Sequence, residues 1–178
     1  MAVLALVGLV GIGAGCTRGD GDEESSSTPT PGNQSTSPAE STTPGDLALA
    51  AYRGMWSAYD EAGLTSNPDH PELVKFAAGD ALEVLRSGLE SDRREGLVGQ
   101  GEVVVNPSIQ SLTPAAAPTQ AKVRDCADTS GATRVRATPN GTPFTDSPGG
   151  RRMVNATVSM VGESWKVTSF GVQGVGSC

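Results

Sequence analysis

The fold class is decided by residues 154–170, which read VNATVSMVGESWKVTSF. Apolar and polar residues alternate from Val154 to Met160, the pattern of a β-strand whose two faces meet different surroundings. The glycine-containing turn at residues 161–164 then predicts an antiparallel hairpin. The second strand is expected to place Trp165, Val167 and Ser169 on one face and Lys166, Thr168 and Phe170 on the other.

Earlier runs of similar length, bounded by Pro and Gly, predict four further strands. They lie at residues 103–105, 109–112, 121–127 and 133–137. A loop rich in Pro and Gly, residues 138–150, separates them from the hairpin.

A helical period precedes the strands. From Asp46 to Ala62, apolar residues recur at steps of three and four, which predicts an amphipathic helix closed by Gly63. Asp60 is expected on its solvent side, together with its charged neighbours. Steps of three and four place the apolar residues on a single face, so the helix should bury one side only.

Two more helices are expected before the first strand. Asp69 is predicted to cap a short helix through Leu73 and Phe76, with Glu72 completing a capping box. Asp80 is predicted to cap a third helix, residues 80–96, that ends at a glycine. Three N-terminal helices followed by about six strands predict an α+β domain, with the helices packed on a curved, mainly antiparallel sheet.

The chain begins with an apolar run, residues 2–12, followed by Gly13-Ala14-Gly15-Cys16. The run is too short to span a bilayer and matches the apolar region of a secretory signal, predicted here as residues 1–15. Small residues before a cysteine resemble the bacterial lipobox, in which the cysteine receives lipid, so Cys16 is the predicted lipid attachment site. An ordinary cleaved signal with an incidental cysteine is the alternative.

Composition changes sharply after this cysteine. Residues 17–45 contain six Ser, six Thr, four Pro, five acidic residues and one basic residue. Such a segment buries too little apolar surface to fold, so residues 16–45 are predicted to be a lipidated, disordered tether and residues 46–178 a single domain. The whole chain carries a net charge of −7. Nucleic-acid binding, which requires a basic face, therefore gains no support.

Cysteine usage indicates an oxidising compartment. With Cys16 assigned to lipid, Cys126 and Cys178 remain, and two cysteines outside the cytoplasm are expected to form one disulfide. Because the chain has no Cys-x-x-Cys and His70 is its single histidine, no metal site and no cofactor are predicted.

Three motifs carry a resemblance to a known family. Residues 51–56 read AYRGMW, residues 79–82 read GDAL and residues 162–168 read GESWKVT. With the order of elements, they resemble the nuclear transport factor two-like superfamily, which has a cone-shaped, cystatin-like fold, and more narrowly small secreted actinobacterial lipoproteins. The resemblance implies a pocket between helices and sheet, used by some members to bind partners and by others, such as ketosteroid isomerase-like proteins, for catalysis.

Candidate site residues are mostly aromatic. The possible pocket-lining residues are Tyr52, Trp56, Tyr59 and Trp165. The two tyrosines share a helical face and are expected to be core residues with their hydroxyls at the rim, and ordinary core packing is favoured for both tryptophans.

The remaining polar candidates receive structural interpretations. Asp125 and Asp128 flank a cysteine and are expected to be surface acids at a strand end, and His70 is expected to be exposed in a turn. Four arginines are expected on a solvated sheet edge rather than in a basic patch, namely Arg134, Arg136, Arg151 and Arg152. No catalytic residue is assigned.

The expected function follows from the predicted export signal and the predicted fold. The chain is predicted to be a lipid-anchored, extracytoplasmic, non-catalytic module at the cell membrane that binds a protein, a peptide or a small apolar ligand. The alternative is a small pocket enzyme of isomerase or hydrolase type, which needs a buried carboxylate and a tyrosine donor beside a substrate-sized void. A structural role in the envelope is a third hypothesis.

Overall fold

The computed structural model describes residues 42–139 and 142–178, and it confirms the α+β prediction. Three helices come first: α1 (Pro44–Gly63), α2 (Leu73–Phe76) and α3 (Gly79–Glu95). Six strands follow: β1 (Leu97–Gln100), β2 (Ser108–Thr113), β3 (Gln120–Asp128), β4 (Thr133–Arg136), β5 (Arg151–Val161) and β6 (Ser164–Val172). The predicted signal peptide, Cys16 and residues 17–41 lie outside the described residues.

Helix α1 begins earlier than its apolar pattern predicts. The Thr43 hydroxyl accepts from the Asp46 backbone N–H, and the Asp46 carboxylate accepts from the Thr43 backbone N–H, which forms a capping box. Pro44 occupies the first turn, where it costs no hydrogen bond. Residues 44 and 45, assigned to the tether from composition, therefore belong to the helix.

Two of the predicted helix caps are wrong. Residues 69–72 form turns, the N-cap of α2 is Glu72 without a side-chain bond, and Asp69 instead donates its backbone N–H to Asn67. The N-cap of α3 is Ala78, so Asp80 lies within the first turn of the helix, where its charge still favours the helix dipole. The predicted end at Gly96 is confirmed, since this residue adopts the left-handed conformation with φ 68°.

The strands form two separate sheets. Strands β2, β3, β5 and β6 make one antiparallel sheet in the order β2-β3-β5-β6, whereas β1 pairs only with β4. The strand predicted at residues 103–105 is wrong, because Val104 makes only an isolated bridge to Asp128. The missed strand β1 follows α3 directly, and its Gly99 and Gln100 give it a weak β pattern.

A bulge in β6 changes which side chains face the helices. Val158 pairs with Val167 but Thr157 pairs with Ser169, so Thr168 is the extra residue. The pairing brings Phe170 opposite buried Ala156, on the same face as Val167, which corrects the strict alternation predicted for this strand. Phe170 then packs edge to face on Trp56, with ring centroids 5.8 Å apart.

The core fills the space between the helices and the inner face of the four-stranded sheet. Helix α1 contributes its largest side chains, Tyr52, Met55 and Trp56, and α3 contributes Leu85 and Leu89. The sheet contributes small and β-branched residues, Ala121, Val123, Ala127, Val154, Ala156, Val158 and Val167. Within residues 42–139 and 142–178, no helix has both the length and the hydropathy that a bilayer span requires.

The predicted disulfide is confirmed. Cys126 and Cys178 are bonded, with their Cα atoms 5.9 Å apart. The bond holds the segment after β6 against the start of β5, where Gln173 and Gly176 donate to the carbonyls of Met153 and Arg151. The C-terminal segment therefore continues the edge of the sheet.

Replacing both cysteines by serine is expected to lower the free energy of unfolding by about 3 kcal/mol. The bond closes a loop with a sequence separation of 52, which restricts the unfolded chain, and the figure allows for some strain in the native bond. Urea denaturation of the two chains measures the difference. Equal stability of the variant and the oxidised chain would contradict the prediction, and peptide mapping without reductant provides the control for pairing.

Candidate functional site

The most buried charged side chain is that of Asp125 in β3, which is 2% exposed. The Tyr52 hydroxyl donates to its Oδ2 at 3.1 Å, and the Asn106 backbone N–H donates to its Oδ1 at 2.9 Å. The prediction of a surface acid is therefore wrong. A sequence signal existed, because Asp125 continues the inward alternation of Ala121, Val123 and Ala127.

Tyr52 is equally buried, which corrects the prediction that its hydroxyl lies at a rim. Desolvation raises the pKa of Tyr52 far above its ordinary value, and the charge of Asp125 raises it further. The nearby Trp56 indole N–H partly opposes this rise in pKa, although the indole makes no hydrogen bond within the described residues. The hydroxyl thus stays protonated and acts as a fixed donor to the carboxylate.

A second aspartate fixes the segment between β1 and β2, residues 101–107, named here the 101–107 loop. The Val103 N–H donates to Oδ2 of Asp60 at 3.1 Å. Val104 exchanges two backbone hydrogen bonds with Asp128, at 3.0 and 2.8 Å. Together with the Asn106 bond to Asp125, these contacts hold the loop against both α1 and the sheet.

Gly101 lets the start of this loop come close to the β3–β4 turn. Its φ is +82°, and a Cβ there would lie 1.9 Å from the Gly131 carbonyl oxygen. No side chain fits without moving the backbone.

A groove of about 410 Å³ lies between α1 and this loop and is called the α1–loop groove. Its lining is Arg53, Trp56, Ser57, Asp60, Glu61, Leu64, Gly101, Glu102, Val103 and Val105. A smaller cavity of about 170 Å³ shares Asp60, Gly101 and Val103 with it and is lined on its other side by Tyr59 and Asp92. Asp60 therefore lies where the two spaces meet.

Asp60 is half-buried, although its position on α1 predicts a solvent-facing side chain. Burial raises the pKa of Asp60 to about 6, the charge of Glu102 raises it as well, and the bond from Val103 opposes both. Sequence reasoning missed this residue because its partner is 43 positions away and lies in a segment without regular structure.

The arginines near the long loop are paired with protein groups. Arg134 contacts Asp146 at 2.6 Å and Asp92 at 3.4 Å, and its guanidinium lies 5.7 Å from the centre of the Phe144 ring. Its hydrogen bond lowers the pKa of Asp146. Arg136 donates to the carbonyls of Glu95 and Thr142. Arg134 and Arg136 therefore fasten the loop to the rest of the domain.

The four aromatic candidates lie in different places. Trp56 is 7% exposed and lines the α1–loop groove, Tyr59 lines the smaller cavity, and Tyr52 lies in the core. Trp165 is half-buried and lines a separate groove of about 320 Å³ beside Phe76. The structure therefore does not bring the four aromatic side chains into one pocket.

Histidine and metal chemistry receive no support from the described part of the chain. His70 lies in the turn before α2, as expected, but is half-buried, and its Nδ1 has no hydrogen-bond partner there. No group of three His, Cys, Asp or Glu residues in the described ranges could hold a metal ion.

Comparisons with known proteins address the fold. No family model matches the chain, and no curated protein matches it. The intermembrane space region of the chloroplast protein ARC6 is similar in structure, with a TM-score of 0.50 and 19% identity over 73% of this chain and 96% of that one. A candidate scytalone dehydratase from Novosphingobium aromaticivorans has a TM-score of 0.45 and 19% identity, over 72% of this chain and 86% of that one.

A protein of unknown function described as NTF-2 like, from Shewanella oneidensis, has a TM-score of 0.41 and 14% identity, over 73% of this chain and 98% of that one. The chain has three helices packed on an antiparallel sheet, the arrangement that the sequence resemblance implied. A similarity of fold at 19% identity does not choose between binding and catalysis.

Asp60→Asn is expected to raise the free energy of unfolding at pH 7 by about 1 kcal/mol and to leave it nearly unchanged near pH 4. The folded chain retains a proton on Asp60 up to about pH 6, whereas the unfolded chain releases it near pH 4, so stability falls as the pH rises through this window. The magnitude is discounted because the side chain is only half-buried.

Urea denaturation at pH 4, 5.5 and 7 measures this effect. The asparagine retains an oxygen that can accept from Val103, so the variant removes the charge without removing the contact. Parallel pH profiles for the variant and the original chain would refute the assignment.

Proposed function

We propose that this chain is a non-catalytic binding module, anchored by lipid on Cys16 to the extracytoplasmic side of the cell membrane, with its ligand site in the α1–loop groove. The observation that carries the proposal is that both carboxylate oxygens of Asp125 already accept hydrogen bonds. Its two oxygens accept from Tyr52 and Asn106 inside the core. The buried carboxylate and tyrosine that a pocket enzyme would need are thus already bonded to each other.

The interior of the cone offers little room beside this pair. Trp56 packs edge to face against Tyr52 and Phe170, with centroids 6.4 and 5.8 Å apart. The space is therefore filled by side chains from α1 and β6. The α1–loop groove, at about 410 Å³, falls in the range of small-molecule sites and is the better candidate for a ligand.

A pocket enzyme remains the second candidate because of Asp60. Its pKa of about 6 suits a general acid or base, and it lines the smaller cavity together with Tyr59. The cavity of about 170 Å³ is below the usual size of a substrate site. Asp60 also holds the Val103 N–H, which gives it a structural role that needs no reaction.

A matched pair of tyrosine variants tests whether the Tyr52 hydroxyl has the structural role in the core that the binding proposal gives it. Tyr52→Phe is expected to lower the free energy of unfolding by about 2 kcal/mol, because it leaves a buried carboxylate oxygen without its donor. Tyr59→Phe removes a hydroxyl from the same helix and is expected to cost less, since no protein partner of that hydroxyl is found in the described residues.

The full chain and the variants Tyr52→Phe, Tyr59→Phe and Asp60→Asn are incubated with a bacterial metabolite extract, and bound and free compounds are compared by mass spectrometry. A binding module returns its ligand chemically unchanged. Time-dependent conversion of a compound that Tyr59→Phe or Asp60→Asn abolishes would overturn the proposal in favour of the enzyme.

Anchoring is supported by the sequence and by the disulfide. Small residues precede Cys16, and the apolar run before them has the length of a signal. The Cys126–Cys178 bond fits an oxidising compartment outside the cytoplasm. The polar segment after Cys16 supplies a spacer between the lipid and the folded domain.

Cys16→Ala is expected to move the protein from the membrane fraction to the medium, because the lipid is the proposed attachment. Intact mass of the exported chain measures acylation, and immunoblots of membrane and medium measure location. Cys126→Ser with Cys178→Ser is the control that removes cysteines without removing the anchor. Unchanged membrane association of the Cys16 variant would contradict the proposed anchor.

A further inference from the structure

The lining of the α1–loop groove divides by exposure. Its most buried parts are apolar, with Trp56 7% exposed and Val103 and Val105 half-buried. Its exposed parts include three charged side chains, those of Arg53, Glu61 and Glu102, beside Ser57, Leu64 and Gly101. Half-buried Asp60 joins the two zones. A ligand that fits this division has an apolar body and a polar end.

The charge of the lining gives the sign of that polar end. Three carboxylates, those of Asp60, Glu61 and Glu102, face one guanidinium, that of Arg53. Within residues 42–139 and 142–178, none of these four side chains forms an ion pair. The carboxylates of Asp92 and Asp146, by contrast, each form an ion pair with Arg134. The α1–loop groove therefore retains an unbalanced negative charge, which complements a cation.

We propose that the α1–loop groove binds a small organic cation with an apolar body. The proposal rests on the binding function proposed above and names the class of its ligand. The volume of about 410 Å³ suits a compact organic molecule. Trp56 supplies apolar aromatic surface for the body of the ligand. The chain's own residues 17–41 do not complement the groove, because they carry five acids and one base.

The same charges make the binding sensitive to pH. Below about pH 6 Asp60 gains a proton, so the groove loses one of its three negative charges and affinity for a cation should fall. Charged and titratable groups facing Asp60 are Arg53 and Glu61 on α1, Glu102 on the loop and, across the smaller cavity, Tyr59, Asp92, Arg134 and Asp146.

Three matched probes test the proposal on the full chain by calorimetry and NMR. They are naphthylmethylammonium, the neutral naphthylmethanol and the anionic naphthylacetate. The cation is expected to bind at pH 7 about tenfold more tightly than the alcohol, and the anion most weakly. Lowering the pH to 5 should weaken the cation at least threefold and leave the alcohol unchanged. Equal affinities for the three probes would overturn the proposal.

Variants locate the site. Asp60→Asn and Glu102→Gln are each expected to weaken the cation about fivefold, the size of one solvent-exposed charge pair, without changing the alcohol. Ser57→Trp, an exposed position in the lining, should block both probes. Glu90→Gln removes an equivalent exposed charge from α3 and should change nothing.

The outcomes separate this inference from the function on which it rests. If the cation has no advantage, or if Asp60→Asn and Glu102→Gln do not weaken it, the ligand class is wrong even where the chain still retains a metabolite unchanged. If a retained compound is converted, the binding function itself is wrong. If the cation binds but Ser57→Trp does not block it, the site lies elsewhere and the proposal is overturned.

Discussion

The structure depends on two hydrogen bonds to one carboxylate. Asp125 lies on the inner face of β3 and accepts from Tyr52 of α1 and from Asn106 of the 101–107 loop. A buried carboxylate is costly unless it is bonded, so the helix, the sheet and the loop are held in a fixed relation by the need to satisfy it. The groove beside α1 exists because this relation places the loop over the helix.

The interior between the helices and the sheet is filled because of how the sheet is built. The bulge in β6 turns Phe170 toward the helices, where it meets Trp56. Small residues on the sheet, such as Ala121 and Ala156, make room for these rings. Space that a cone-shaped fold can use for a ligand is thus occupied by the chain's own aromatic side chains, and the largest remaining spaces open at the surface.

Charged groups in this chain are used in two ways. Around Arg134, one acidic side chain from α3 and one from the long loop form ion pairs with the same guanidinium, and these pairs fasten the loop. In the α1–loop groove, the carboxylates of Asp60, Glu61 and Glu102 line the wall with Arg53, and within the described residues none of the four forms an ion pair. The partial desolvation that raises the pKa of Asp60 also reduces the screening of its charge, so this charge acts more strongly on a bound cation than a fully exposed one would.

The amino-acid pattern alone was sufficient for the α+β class, the helical faces, the β5–β6 hairpin and the disulfide, because periodicity, turn chemistry and cysteine pairing are local or countable properties. The caps of α2 and α3 were predicted wrongly, because the observed N-caps, Glu72 and Ala78, make no side-chain cap hydrogen bond and so leave no cap signal in the sequence. The alternation of β3 indicates an inward side chain at Asp125, although the residue type favours a surface position. The burial of Asp60 and of Phe170, and the position of the groove, depend on tertiary structure. A hydrogen bond from a loop 43 residues away holds Asp60, and a one-residue bulge turns Phe170 inward. Neither contact leaves a periodic signal in the sequence.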